Sequence, residues 1–295
     1  MNHYDLVFMG HLATTTVVPF EGPTFIDRGG PLLFCSMAAS CLTKRLAAVA
    51  KIPKDEEGLM APLKAAGIDL YLQPGENYHA RLVNPNANID DRQMFITKRE
   101  GYFRIDDLPP LEPCLIHLGG IGGNGHEFPL EFMRALKERG FRLSVDIQSF
   151  VWHINDQTHD IRPKDIPQKR EILCQSDFVK FDVIEAKALT DVDDIQEQAS
   201  ILEDMGSTET LITSSQGALI RSKGKNHFAK FTNRNILGRT GRGDTFSGSY
   251  LARRLDHPVE DALQFAAALT SIKMESPGPF KGSLEDVLER MRQEM

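Results

Sequence analysis

The sequence predicts an α/β fold with a mostly parallel central sheet covered by helices on both faces, plus a small β-sheet lid. Short apolar runs such as "YDLVFMG", "CLIHL" and "RLSVDI" alternate with helical stretches. That rhythm belongs to strand–helix–strand units with parallel strands. Two β-rich insertions, at about 12–28 and 70–106, break the alternation and read together as the lid. The 295 residues fit one large domain, 1–295, with this elaboration.

The elements follow in order. Tyr4–Gly10 is an apolar run ending in glycine, a buried strand, and "LATTTVVPF" adds β-branched residues that favour further strand pairing. In "RGGPLLFCSMAASCLTKRLAAVA" a glycine pair and Pro31 lead into an Ala- and Leu-rich segment, read as a loop feeding a buried helix. "YHARLV", "QMFITK" and "YFRI" are strand-like pieces of the lid, separated by turn residues. After "LPPLEP" come the strand "CLIHL", the helix "EFPLEFMRALKERG" and the strand "RLSVDI". "SDFVKF" and "ETLIT" are later strands, with a helix from Ala186 to Met205 interrupted near Asp191–Asp194. Ligands of such sheets bind beyond the carboxyl ends of the strands, so the loops there should carry the chemistry.

Composition narrows the function classes. An apolar fraction of 41% and a charged fraction of 25% are ordinary for a soluble protein. A net charge of −7 argues against a general nucleic-acid binder. Cys35, Cys41, Cys114 and Cys174 form no C-x-x-C and read as thiols in a reducing compartment. No signal peptide is visible at the start, and the longest uncharged runs, Leu6–Phe20 and Gly29–Thr43, are too short and polar to span a membrane. A cytoplasmic location is expected, without nucleic acid or membrane partners.

Several motifs were weighed. "GGIGGNG" contains G-x-G-x-x-G at Gly120, Gly122 and Gly125 after a strand, with Asp146 as the acidic residue that follows. A dinucleotide site would need those glycines to open a helix, and Pro129 stands in the way; a glycine-rich loop bordering a site is the better reading. "RGD" at Arg242–Asp244 is a chance tripeptide, and His153 and His159 lack metal-ligand spacing. The loop Gly238–Gly248, "GRTGRGDTFSG", has the outline of a P-loop, but Asp244 holds the lysine slot. It runs into a helix marked by Phe246/Tyr250 and Leu251/Leu255. Amides at such a helix start can cradle an anion, and a carboxylate beside them suits proton removal from an attacking hydroxyl. A plain glycine-rich turn with aspartate as a cap is the other reading.

"TGRGDTFSGSYL" closely resembles the G-A-G-D signature of the ribokinase-like, PfkB-type small-molecule kinases. "GGPLLFCSMAAS", "SVDIQSF", "FDVIEAKALT", "LITSSQGALI" and "SIKMESPGPF" resemble further segments of that family in the right order, over nearly the whole chain. The resemblance implies a three-layer α/β/α ribokinase-like fold and an ATP-dependent kinase for a hydroxyl of a sugar or polyol, or of a nucleoside. Asp244 would be the catalytic base, and the amides of Gly241, Arg242 and Gly243 the anion hole. Asp182 (for the family's Asn) and Glu185 would organise Mg²⁺ through water. Thr213, Ser214, Gln216, Gly217 and Lys273 would approach the nucleotide; Thr15, Gly29, Gly30 and Gln148 would approach the acceptor.

The departures bear on substrate. An aspartate common near the end of the first strand is replaced by Thr14 or Thr15, and the aspartate linked to a monovalent-cation site is Gly238, which argues against potassium activation. "VDIQSF", with "GH" after the first strand, looks most like the inositol-kinase branch. Lid residues Asn86, Asn88 and Phe95 bear on specificity, and lid edges in this family pair across subunits, implying a homodimer. A non-catalytic metabolite-binding relative stands as the alternative on the same fold.

Overall fold

The computed structural model describes residues 2–42, 44–86, 93–98, 101–121, 127–155, 157–158 and 161–294. The strands are β1 (Leu6–Gly10), β2 (Ala13–Val18), β3 (Phe25–Gly29), β4 (Leu46–Ile52), β5 (Asp69–Pro74), β6 (Tyr78–Val83), β7 (Gln93–Lys98) and β8 (Leu115–Gly119). They continue with β9 (Arg142–Asp146), β10 (Trp152–Ile154), β11 (Ile161–Pro163), β12 (Phe178–Asp182), β13 (Glu209–Thr213), β14 (Gly217–Ser222) and β15 (Lys225–Lys230). The helices are α1 (Pro31–Ala39), α2 (Ala61–Ala65), α3 (Leu130–Glu138), α4 (Gln148–Val151), α5 (Lys169–Gln175), α6 (Val183–Thr190), α7 (Ile195–Asp204), α8 (Arg242–Arg254), α9 (Val259–Met274) and α10 (Leu284–Glu294).

Nine strands form the main sheet in the order β15-β14-β13-β12-β9-β8-β1-β4-β5. Pairing is parallel from β13 to β5 and antiparallel for β14 and β15 at one edge. Its central strands are apolar and buried on both faces, as a helix-covered parallel sheet requires. Alternation along β1 shows the layers. Val7 and Met9 enter a core with Phe132 and Leu136 of α3, Leu173 of α5 and Leu202 of α7. Leu6 and Phe8 enter the opposite core with Leu32 of α1, Phe246 and Leu251 of α8 and Leu263 of α9. Each such buried side chain contributes about 1.5–3 kcal/mol of transfer free energy.

A separate four-stranded sheet, β3-β2-β6-β7, rises beside the carboxyl end of β1. One of its faces packs Ala13, Tyr78, Ala80 and Ile96 against Ile154 and Ile161 of the β10–β11 hairpin.

Three local expectations are corrected. The helix after the glycine pair ends at Ala39, and "LAAVAKI" is strand β4; a fully buried Ala-rich run looks the same in either state. β5, placed in the lid by its range, pairs with β4 in the main sheet. "YFRI" forms no strand: 101–104 are irregular and lead into a short 3₁₀ turn at Ile105–Asp107. After β8 the next described helix is α3, which begins at Leu130 behind Pro129. The interruption of the later helix is real: α6 ends where Asp191 turns left-handed (φ 59°), and Asp194 caps α7. Asn88, His159, Gly122 and Gly125 lie outside the described residues.

Candidate active site

Parallel strands deliver their last residues to one edge of the sheet, and the register aligns them. Lys180 pairs with Asp146 across β12 and β9, and Asp182 with Thr213 across β12 and β13. The Lys180 ammonium is buried, 3.2 Å from Asp146 Oδ2 and 3.6 Å from Glu185 Oε2. Burial works against that charge, but Asp146, Glu185, Asp244 and Asp182 outweigh it and hold Lys180 well above the ordinary lysine range.

Above this cluster stands the start of α8. Gly241 caps the helix at φ 77°, and a Cβ there would lie 2.4 Å from the Phe34 ring. A Cβ on Gly243 would lie 2.9 Å from Lys180 Cε and 3.1 Å from its Nζ. Gly241 therefore has no room for a side chain, and one on Gly243 would have to push the Lys180 terminus aside, so the loop lies directly on the buried lysine. First-turn amides have no helix carbonyl to bond, so those of Gly243 and its neighbours face outward with the positive helix end. The Arg242 amide differs from expectation: it donates to the Arg239 carbonyl at 3.2 Å, closing the turn instead of completing an anion hole.

Asp244 lies in the first turn of α8. Burial, and then the Asp146 carboxylate, raise it to about 6, with Lys180 and Lys273 pulling the other way. It is thus mostly ionised at neutral pH yet close enough to it to accept a proton, the condition a general base needs.

Asp182 and Glu185 form a capping box at the start of α6. Asp182 Oδ1 accepts from the amides of Ile184 and Glu185, each at 2.8 Å, and Glu185 Oε2 accepts from the Asp182 amide at 2.7 Å. Trp152 Nε1 donates to Glu185 Oε1 at 2.9 Å. Burial and then the Asp182 charge push Glu185 up to about 8, Lys180 opposing. Both Glu185 oxygens are engaged, and no group of three or more His, Cys, Asp or Glu among the described residues could enclose a metal. This donor set fits a magnesium ion that keeps its waters, touched through them by Asp182, with Glu185 bracing that segment.

The other expected residues divide. The Thr213 hydroxyl is buried and donates to the Phe181 carbonyl at 3.3 Å. The Ser214 hydroxyl accepts from the Gln216 and Gly217 amides (3.1 and 3.2 Å) and donates to the Gly217 carbonyl, so it closes the tight β13–β14 turn. The Gln148 side-chain amide donates to the Gly120 carbonyl at 2.9 Å, tying α4 to the glycine-rich loop. Gly29 and Gly30 border α1, with Phe34 against Gly29, and Thr15 sits in the lid strand β2. Lys273 is buried: its ammonium donates to the carbonyls of Gly238 and Thr240 and lies 4.9 Å from the Phe34 ring centre.

Sequence reasoning passed over Lys180, Phe34 and Asp27. A lysine inside the apolar strand "FVKFD" was the legible signal for the first, since buried lysines are rare unless paired. Asp27 pairs directly with Thr15 across β3 and β2, and therefore shares its face. Burial raises the Asp27 carboxyl while the Lys273 charge opposes, so the lid carboxylate looks toward the same centre.

A tight glycine turn at a helix start, with a poised carboxylate in its first turn and a buried cation beneath, suits phosphoryl transfer to a hydroxyl. Residues 154–286 match the family model for pfkB family carbohydrate kinases. That match spans less than half of the chain. The chain is 25% identical over 258 residues to the cytidine kinase of Thermococcus kodakarensis, covering 84% of this chain and 87% of that protein. Among solved structures it is similar to a pyrophosphate-dependent kinase of the ribokinase family complexed with a pyrophosphate analog and myo-inositol (TM-score 0.86, 25% identity, 96% of this chain and 99% of that one). The sulfate complex of a pyrophosphate-dependent kinase in the ribokinase family gives a TM-score of 0.88 at 26% identity, covering 97% of this chain and 99% of that one. No helix among the described residues is long and apolar enough to cross a membrane.

Proposed function

We propose that this protein transfers a phosphoryl group from a phosphoanhydride donor to one hydroxyl of a sugar or cyclic polyol, with Asp244 as the base. The observation that carries this reading is the position of Asp244 in the first turn of α8, beside side-chain-free Gly241 and Gly243. Asp244 takes the acceptor proton as the oxygen attacks, while the helix-start amides and the Lys180 charge stabilise the transferring group. Magnesium, when bound, neutralises charge on the donor phosphates. The acceptor lies beneath the lid, between Thr15 and Asp27 on one side and Gly29 and Gly30 on the other. A nucleoside acceptor is the second reading, favoured by the similarity to a cytidine kinase.

For the donor, pyrophosphate is favoured by the similar pyrophosphate-dependent kinases and by the Ser214 hydroxyl, which is engaged within its own turn. ATP is the alternative, favoured by the position of the Thr213–Gly217 turn at the carboxyl end of β13. Exposed Phe25 and Ile26 on the lid suit a homodimer through that sheet, which sedimentation would test.

A screen tests the reading directly. The protein is incubated with Mg²⁺ and either pyrophosphate or ATP over a panel of inositols, sugars and nucleosides, and phosphate-ester product is read by phosphorus NMR. Ester formation from one acceptor class is expected; none from any pair of donor and acceptor overturns the proposal.

A further inference from the structure

The segment just before the anion-binding turn is held by an internal ammonium group. Lys273, in the last turn of α9, reaches under the loop and donates to the Gly238 carbonyl at 2.5 Å and to the Thr240 carbonyl. The ring of Phe34 lies against the same ammonium, 4.9 Å from centre to Nζ. A third bond, from the Gly238 amide to the Met274 carbonyl at 2.8 Å, seats the loop on the end of α9. The side chain is 2% exposed, and burial lowers its ammonium to about 8 against the pull of Asp244 and Asp27, so it is still mostly charged at neutral pH in a dry site.

Gly238 shows that the arrangement is built in. A Cβ there would lie 1.9 Å from the Ser276 carbonyl oxygen and 3.1 Å from that of Lys273. No side chain fits, so no carboxylate at position 238 can help hold an ion. Two backbone carbonyls converging on one positive charge are the ligands that a bound monovalent cation would use. In this chain a covalently attached cation already occupies their focus, and it lies at the carboxyl end of a helix, where positive charge is favoured.

We propose that Lys273 serves as a resident monovalent cation: it fixes the Gly238–Thr240 carbonyls, thereby orienting the first-turn amides of α8, and makes the enzyme independent of added potassium or sodium. It is a positioning residue, acting on the phosphoryl group through the loop. The resemblance places Lys273 near the nucleotide, and its bonds to the loop carbonyls add this positioning role. The proposal rests on the phosphotransferase reading for its activity arm but not for its binding arm.

Three measurements test it. Wild-type turnover should agree within about twofold in potassium, sodium and tetramethylammonium buffers; activation beyond that by potassium overturns the proposal. Lys273→Ala removes the ammonium and leaves room, so pyrophosphate binding by calorimetry should weaken about tenfold or more, as for loss of charged hydrogen bonds. Ammonium or methylammonium should restore most of it. Lys273→Met fills the space without charge, and should weaken binding with no restoration. Equal affinity of Lys273→Ala and wild type, or a loss that no cation relieves in a variant with a wild-type melting profile, overturns the proposal. If the wild type phosphorylates no acceptor yet binds pyrophosphate in a Lys273-dependent, cation-restorable way, the functional reading fails while this one stands. If both variants unfold, the wild-type cation series decides.

Discussion

Replacing Asp244 by Asn removes a base and a half-buried charge in one step, with almost no change in shape. In the folded chain the carboxyl is raised from 3.8 to about 6 by burial and the Asp146 charge. At pH 7 it is therefore about nine-tenths ionised, and at pH 5 about one-tenth. Wild-type kcat/KM should fall about tenfold per pH unit below 6, while the Asn variant should show a flat acid limb. Loss of a positioned base costs about 10²–10⁴ in kcat. Stability should move the opposite way. A carboxyl raised on folding favours the folded state fully below its unfolded value, and that contribution is lost as pH rises through 6. At pH 7 the ionised Asp244 therefore opposes folding, by about 1–2 kcal/mol after allowance for solvent screening. The Asn variant should melt about 2–5 °C higher at pH 7 and show no such gain at pH 4. Turnover is followed by phosphorus NMR and melting by calorimetry. A variant with wild-type kcat would refute the assignment of the base, and one less stable at pH 7 would refute the electrostatic account.

Other perturbations reach neighbouring parts of the site. Asp27→Asn should raise the acceptor KM about tenfold with kcat little changed, because it removes a charged hydrogen-bond acceptor on the lid and leaves the chemistry intact; an unchanged KM removes Asp27 from acceptor recognition. Gly241→Ala places a methyl 2.4 Å from the Phe34 ring at φ 77°, so activity should fall by about 10² or more with the fold retained; near-normal turnover would mean the turn tolerates displacement. Asp182→Ala should raise the magnesium concentration for half-maximal rate several-fold while also costing about 1 kcal/mol of helix capping; a metal titration and a melt separate the two effects.

The fold was legible where the sequence obeys one rule at a time. Strands such as β8 and β12 are short, apolar and followed by chain that leaves the sheet, and Asp191 and Asp194 announce a break between two helices. β4 was misread because a seven-residue run rich in alanine, with six residues buried, satisfies a helix as well as a strand. The Asp244 loop was legible because glycine, glycine and a carboxylate at a helix start have few other uses. The cluster beneath it was not. Lys180 meets Asp146 and Glu185 through the pairing of β12 with β9 and the geometry of α6, and that partnership has no local signature. Gln148, Ser214 and Lys273 were read for ligand contacts, and their bonds to carbonyls and amides of the same chain have no local signature in the sequence.

Phe34 carries a consequence of its own. A Cβ on Gly29 would lie 2.7 Å from its ring, one on Gly241 would lie 2.4 Å away, and the Lys273 ammonium rests on the same π-face. One rigid plane is thus the bearing surface for the acceptor-side turn, the donor-side turn and the cation that steadies it. Tilting that plane would displace all three together, and any change that filling one substrate site made in the affinity of the other would be equal and reciprocal. Evolution inherits the same constraint, because an exchange at position 34 has to be matched at both glycine turns at once.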